Sequence, residues 1–178
     1  MNEDTHFHTD PSLDLVLIRQ TNVSPELVWK AWTTPDLLMQ WFCPKPWKVS
    51  ECKIDLRPGG RFWTVMESPE GEQFPGDACY LEVVENRRLV WTSALLPGYR
   101  PKLPVGAESG MDMFSFTAII EFQPNGSGTT YTATVIHADE AARKRHEGMG
   151  FESGWGTAFD QLVELMSEGG TKSAGNSS

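Results

Sequence analysis

Residues Gly148–Met166 read GMGFESGWGTAFDQLVELM, and the placement of this stretch decides the fold. Glycine weakens a helix by roughly 0.5–1 kcal/mol relative to alanine, yet four glycines open the clearest helical pattern in the chain. At 100° per residue, Phe151, Trp155, Phe159, Leu162 and Met166 fall in one stripe, while Asp160, Gln161 and Glu164 fall on other sides. The spacing predicts a long terminal helix with one apolar face. Gly148 lies on that stripe and Gly156 at its margin, where a missing side chain lets the helix approach a neighbour or leaves room for a ligand. Gly150 falls opposite and reads as a break from the short helix before it, which Asp139 is placed to cap.

A helix with one apolar face needs a partner, and the rest of the chain supplies a sheet. LDLVLIRQTNV (13–23) reads as a first strand. Ser24-Pro25-Glu26 then forms a helix start, with Val23 and Val28 at the hydrophobic-staple positions. Thr34-Pro35-Asp36 starts a second short helix, and Pro44 and Pro46 stop it. Six strands follow over 47–56, 61–67, 78–84, 88–95, 114–122 and 129–137. They are separated by RPGG, SPEGEQ, a polar turn at Glu85–Arg87, a long segment 96–113, and QPNGSG. Segment 96–113 is long for a connection, and Tyr99, Met111 and Met113 give it apolar groups with which to dock as a lid.

The order β-α-α-β6-α therefore predicts an α+β fold. A curved antiparallel sheet covers one face with the terminal helix, and a cavity remains between them because one helix, about 10–12 Å across, is too thin to fill a strongly curved sheet. One domain is expected over residues 13–168, with a flexible arm at 1–12 and a flexible tail at 169–178.

Charge and cysteine content bound the function. The net charge of −9 and the lack of a basic stripe argue against nucleic acid; the densest basic run, ARKRH (142–146), reads as a solvated helix face. Cys43, Cys52 and Cys79 form no CxxC pair and suit a reducing compartment as small buried hydrophobes. No stretch approaches membrane-spanning length and the polar N-terminus is no signal peptide, so a cytoplasmic location is expected. Apolar residues at strand edges allow a homodimer.

Three motifs, SPELVWKAWTTPDLLMQWF (24–42), DLRPGGRF (55–62) and GMGFESGW with LVELM (148–155 and 162–166), resemble the homologues of the heat-shock-protein-90 ATPase activator. That family sits in the START-like superfamily, also called the polyketide cyclase/lipid-transport or Bet v-like superfamily. The resemblance runs over about residues 13–168 and implies a helix-grip fold: a curved antiparallel sheet closed on a C-terminal helix. It also implies either binding of a small hydrophobic molecule, a chaperone-directed role as an ATPase-activating stress protein, or an enzyme of the cyclase or hydrolase sort.

No metal-ligand spacing and no G-x-S-x-G elbow occur, so neither a metal nor a cofactor is expected. His137, at a strand end near Asp139, is the best single proton-transfer candidate, and Glu152 is a second if it turns toward the cavity, where burial would raise its pKa. Arg57 and Arg61 bracket the PGG turn, and Arg61 is a candidate anchor for a ligand carboxylate. The strongest signal is aromatic: Trp63, Trp91, Phe114, Phe116, Phe151, Trp155 and Phe159 are expected to line one interior, where core and pocket wall are the same surface.

Overall fold

Side-chain parity organises the chain. Leu15 and Leu17 of β1 (Asp14–Thr21), with Phe62, Ala78, Tyr80, Leu89, Trp91, Ala118, Ile120, Tyr131, Ala133 and Val135 of later strands, are apolar and buried, so one face of the main sheet turns to a common core. The computed structural model describes residues 8–103 and 114–173, with side chains described through Ser167. After β1 come α1 (Pro25–Thr33) and α2 (Pro35–Leu38), then β2 (Lys48–Ile54), β3 (Arg61–Glu67), β4 (Gln73–Val84) and β5 (Arg88–Thr92). A small hairpin, β6 (Leu95–Leu96) and β7 (Arg100–Pro101), precedes β8 (Phe116–Asn125), β9 (Gly128–His137), α3 (Glu140–Gly148) and α4 (Phe151–Ser173).

Seven strands form one antiparallel sheet in the order β1-β9-β8-β5-β4-β3-β2, and β6 pairs with β7 apart from it. The α+β architecture of a curved antiparallel sheet with a C-terminal helix is the one expected. Opposed pairs Leu17–Ala133, Ala133–Ile120 and Ile120–Leu89 carry the core across four strands. Phe151, Phe159, Leu162 and Met166 of α4 are buried against it and Trp155 is half-buried, as the stripe required.

Three boundaries differ from the sequence reading. β4 begins at Gln73, because the reversal is confined to Ser68–Glu72, where Ser68 N donates to Glu72 O and Gly71 takes φ +88°. β8 and β9 extend to a two-residue connection at Gly126–Ser127, with Gly126 at φ +60°. The long segment after β5 opens with the β6–β7 hairpin. Gly98 N donates to Gly59 O, and the Tyr99 ring lies so close to Gly59 that a Cβ there would sit 2.8 Å from it. Tyr99 thus docks on the PGG turn; Met111 and Met113 lie outside the described residues. No described helix is long and apolar enough to cross a membrane.

The glycines divide as follows. Gly150, at φ +88°, separates α3 from α4, and its carbonyl accepts from Gly154 N and Ser153 Oγ. At Gly156 a Cβ would stand 3.3 Å from Arg19 Nη2, so its absence lets α4 sit close to β1. Gly148 would meet nothing within 4 Å; close approach does not require it, contrary to the reading of the stripe.

Candidate functional site

Aromatic pairs run in a continuous series across the concave face. Phe62 of β3 stacks on Tyr80 of β4 with centroids 5.4 Å apart and meets Trp91 of β5 edge-on at 5.2 Å. Trp91 meets Phe116 of β8 at 5.4 Å, and Phe116 reaches Trp155 of α4 at 6.3 Å. Phe151 and Trp155 are 5.3 Å apart. The series joins sheet to helix at the helix's first turns.

Two histidines sit at this junction. His137, at the end of β9, turns to the core because it follows Tyr131, Ala133 and Val135 in parity. His146 comes from α3, four residues after buried Ala142 on the same face. His137 Nε2 and His146 Nδ1 are 2.9 Å apart, and His137 Nδ1 lies 2.9 Å from the Leu13 carbonyl oxygen. A carbonyl only accepts, so His137 Nδ1 carries its proton. In the neutral pair, His146 Nδ1 donates to His137 Nε2, and the lone pair at His146 Nε2 is left over. Phe114, Phe116 and Phe151 surround His146 at 5.0, 5.3 and 5.3 Å. Burial, and then the charge of His137, push the His146 pKa down to about 4, which keeps it a neutral base at neutral pH.

The same wall holds buried polar atoms with no partner. Among the described residues, Tyr80 Oη and Trp91 Nε1 find no hydrogen-bond partner, although Tyr80 is fully buried and Trp91 only 5% exposed. The two residues are opposed on β4 and β5, so their side chains rise side by side from the concave face. Burial pushes the Tyr80 hydroxyl pKa up, so it stays protonated and able to donate.

Of the residues expected to meet, Trp91, Phe114, Phe116, Phe151, Trp155 and His137 are brought together. Phe159 is buried further along α4, stacked on Tyr131 at 4.4 Å. Trp63 and Arg61 are placed elsewhere. Phe62 faces the core, so its neighbours face outward: the Arg61 guanidinium lies 4.6 Å over the Trp63 ring and binds Asp77 through Nε and Nη2, both 2.9 Å. Two adjacent aromatics in RFWTVME leave strand parity open in sequence, and pairing with Ile54 and Ala78 decides it for Phe62. Glu152 points outward, with its side chain 84% exposed and Arg19 at 3.9 Å. Asp139 does not support His137; its Oδ1 caps α3 through Ala142 N. Arg57 is held by Asp55.

His146, Tyr80 and Phe62 are site residues the sequence reading missed. Lys144 is solvated as expected and pairs with Glu140, whereas Arg143 is half-buried and pairs with Glu147. His146 closes the opposite face of that helix, and the Ala142–His146 spacing was the available signal.

Comparison with known proteins agrees with the fold. Residues 22–167 match the family model described as Activator of Hsp90 ATPase homolog 1-like protein. The chain belongs to this family. A crystal structure of a Nitrosomonas europaea protein resembles this activator-homologue chain with 50% identity and a TM-score of 0.84, covering 92% of this chain and 99% of that one. A solution structure from Arthrobacter aurescens (19% identity, TM-score 0.74, 90% of each chain) shares the fold. So does a crystal structure from Rhodobacter sphaeroides (20%, 0.72, 89% of this chain and 96% of that one). No curated protein matches the sequence.

Proposed function

We propose that this activator-homologue chain binds a small aromatic or apolar molecule, without transforming it, in a cavity between the concave sheet and the first turns of α4. The observation that carries this reading is the pair of unpartnered donors, Tyr80 Oη and Trp91 Nε1, inside an aromatic wall. An unpaired buried donor costs about 1–3 kcal/mol, a cost that a ligand oxygen accepting from both would offset. The lone pair at His146 Nε2 offers a complementary acceptor. The ligand is then a neutral ring system bearing an acceptor oxygen. Burial of its apolar area supplies the affinity, at about 25 cal/mol per Å². Residues 13–168 act as one binding domain, in the cytoplasm.

Titration with 2-acetylnaphthalene, a neutral aromatic ketone, followed by tryptophan fluorescence, tests the reading. Saturable quenching is expected, with affinity at least tenfold weaker in both Tyr80→Phe and Trp91→Phe. Equal affinity in wild type and both variants would refute the donor pair.

The histidine pair supports a second reading, an enzyme in which His146 takes a proton from the bound molecule. Turnover that disappears in His146→Gln while binding persists would favour it. The family's description supports a third, stimulation of a chaperone ATPase, which a coupled ATPase assay with purified chaperone decides.

A further inference from the structure

The two edges of the sheet are built differently. β2 is protected: it carries Lys48, Glu51 and Lys53, and a bulge interrupts it between Val49 and Glu51. β1 has neither device. It pairs with β9 over eight consecutive positions without a register shift, contains no proline, and has Arg19 as its one charge between Leu15 and Thr21.

His137 N donates to Leu13 O, so in this register the odd residues of β1 bond to β9 and the even ones turn their backbone outward. Among the described residues, no hydrogen bond reaches the outward N–H groups of Val16, Ile18 and Gln20, nor the carbonyl of Val16. The Ile18 carbonyl is held by Arg19 Nη1 at 3.0 Å. Val16 and Ile18 are also 44% and 57% exposed on the convex side. On the other side of this edge, between β1 and the start of α4, lies a cleft of about 710 Å³. Its acidic and basic lining is Asp14, Glu147, Glu152 and Asp160 against Arg19 and Arg143. Arg143 is taken by Glu147 at 2.6 Å and Arg19 approaches Glu152 at 3.9 Å, so an acidic excess remains, including exposed Asp160, which has no ion-pair partner among the described residues.

We propose that β1 is a docking edge for an extended basic segment of a partner protein, added as an eighth strand. Its backbone would pair with Val16, Ile18 and Gln20. Alternate side chains would face two ways: apolar ones beside Val16 and Ile18, and lysine or arginine into the cleft toward Glu152 and Asp160. A second copy of this chain fits less well, because each copy would bring the same acidic excess to the shared edge. This site borders the aromatic interior at Phe151, which lines the cleft, but does not rest on the function proposed for that interior.

The test uses the full chain and two fluorescein-labelled octapeptides, one alternating lysine with valine and one alternating glutamate with valine, read by fluorescence anisotropy. Saturable binding of the lysine peptide is expected, at least tenfold tighter than the glutamate peptide. Val16→Pro removes an outward N–H without touching the bonds to β9 and should weaken binding at least tenfold. Ile18→Lys, which leaves the backbone alone, should do the same, and Glu152→Lys with Asp160→Lys should reverse the preference between peptides. Equal binding of the two peptides would overturn the proposal, as would no binding at all, or undiminished binding by Val16→Pro or Ile18→Lys with unchanged circular dichroism. So would a wild-type dimer in sedimentation that Val16→Pro dissociates, which would make the second copy the occupant.

Discussion

His146 concentrates much of the site's physical chemistry in one side chain. Its pKa in the folded protein, pushed down to about 4, lies below the ordinary value of 6.5, so between those values the unfolded chain binds more protons than the native one. Stability from this group is therefore complete above about pH 6.5 and is lost as pH falls toward 4. The loss expected is on the order of 2 kcal/mol. Urea unfolding at pH 7 and pH 4.5 measures it, and His146→Gln should have a visibly flatter dependence than wild type; parallel curves would contradict the assignment. Tyr80 gives a second prediction at this scale. Since its hydroxyl is buried without a partner among the described residues, Tyr80→Phe should stabilise the ligand-free protein by about 1 kcal/mol in the same assay, while weakening ligand binding.

At the scale of elements, α4 carries the most information and its glycines are separable. Gly148 meets open space and lies in α3, so Gly148→Ala should stabilise the fold by about 0.5–1 kcal/mol through helix propensity and raise the melting temperature. Gly156→Leu should lower it, because the added side chain must displace Arg19 or lift α4 from β1. Opposite signs in thermal melts check the division; equal losses would restore a close-approach role to Gly148. Periodicity made α4, both short helices and most strands legible in the sequence, because each buries one face and repeats its pattern along its length. Parity in β3 was not legible. Phe62 and Trp63 are both large and apolar, and only pairing with β2 and β4 decides which one turns inward. His146 was hidden for a related reason: its helix is mostly charged, and a single buried polar residue disturbs no pattern.

For the whole molecule, the separation of two surfaces matters most. The concave side gathers aromatic rings, a hydrogen-bonded histidine pair and donors without a partner among the described residues, and the convex side carries Trp63 under Arg61. Membership of the activator-homologue family and the 50%-identical structure show the architecture, while the choice of ligand lies in side chains that the architecture merely positions. The seven tryptophans allow this arrangement to be read directly. In a nitrogen–proton correlation spectrum, with indole signals assigned through Trp91→Phe and Trp63→Phe, the protein is titrated with 2-acetylnaphthalene. A saturable shift of the Trp91 indole N–H, with that of Trp63 unmoved, is the predicted result. A shift confined to Trp63, or no shift of Trp91 at the solubility limit of the ketone, would contradict binding on the concave face.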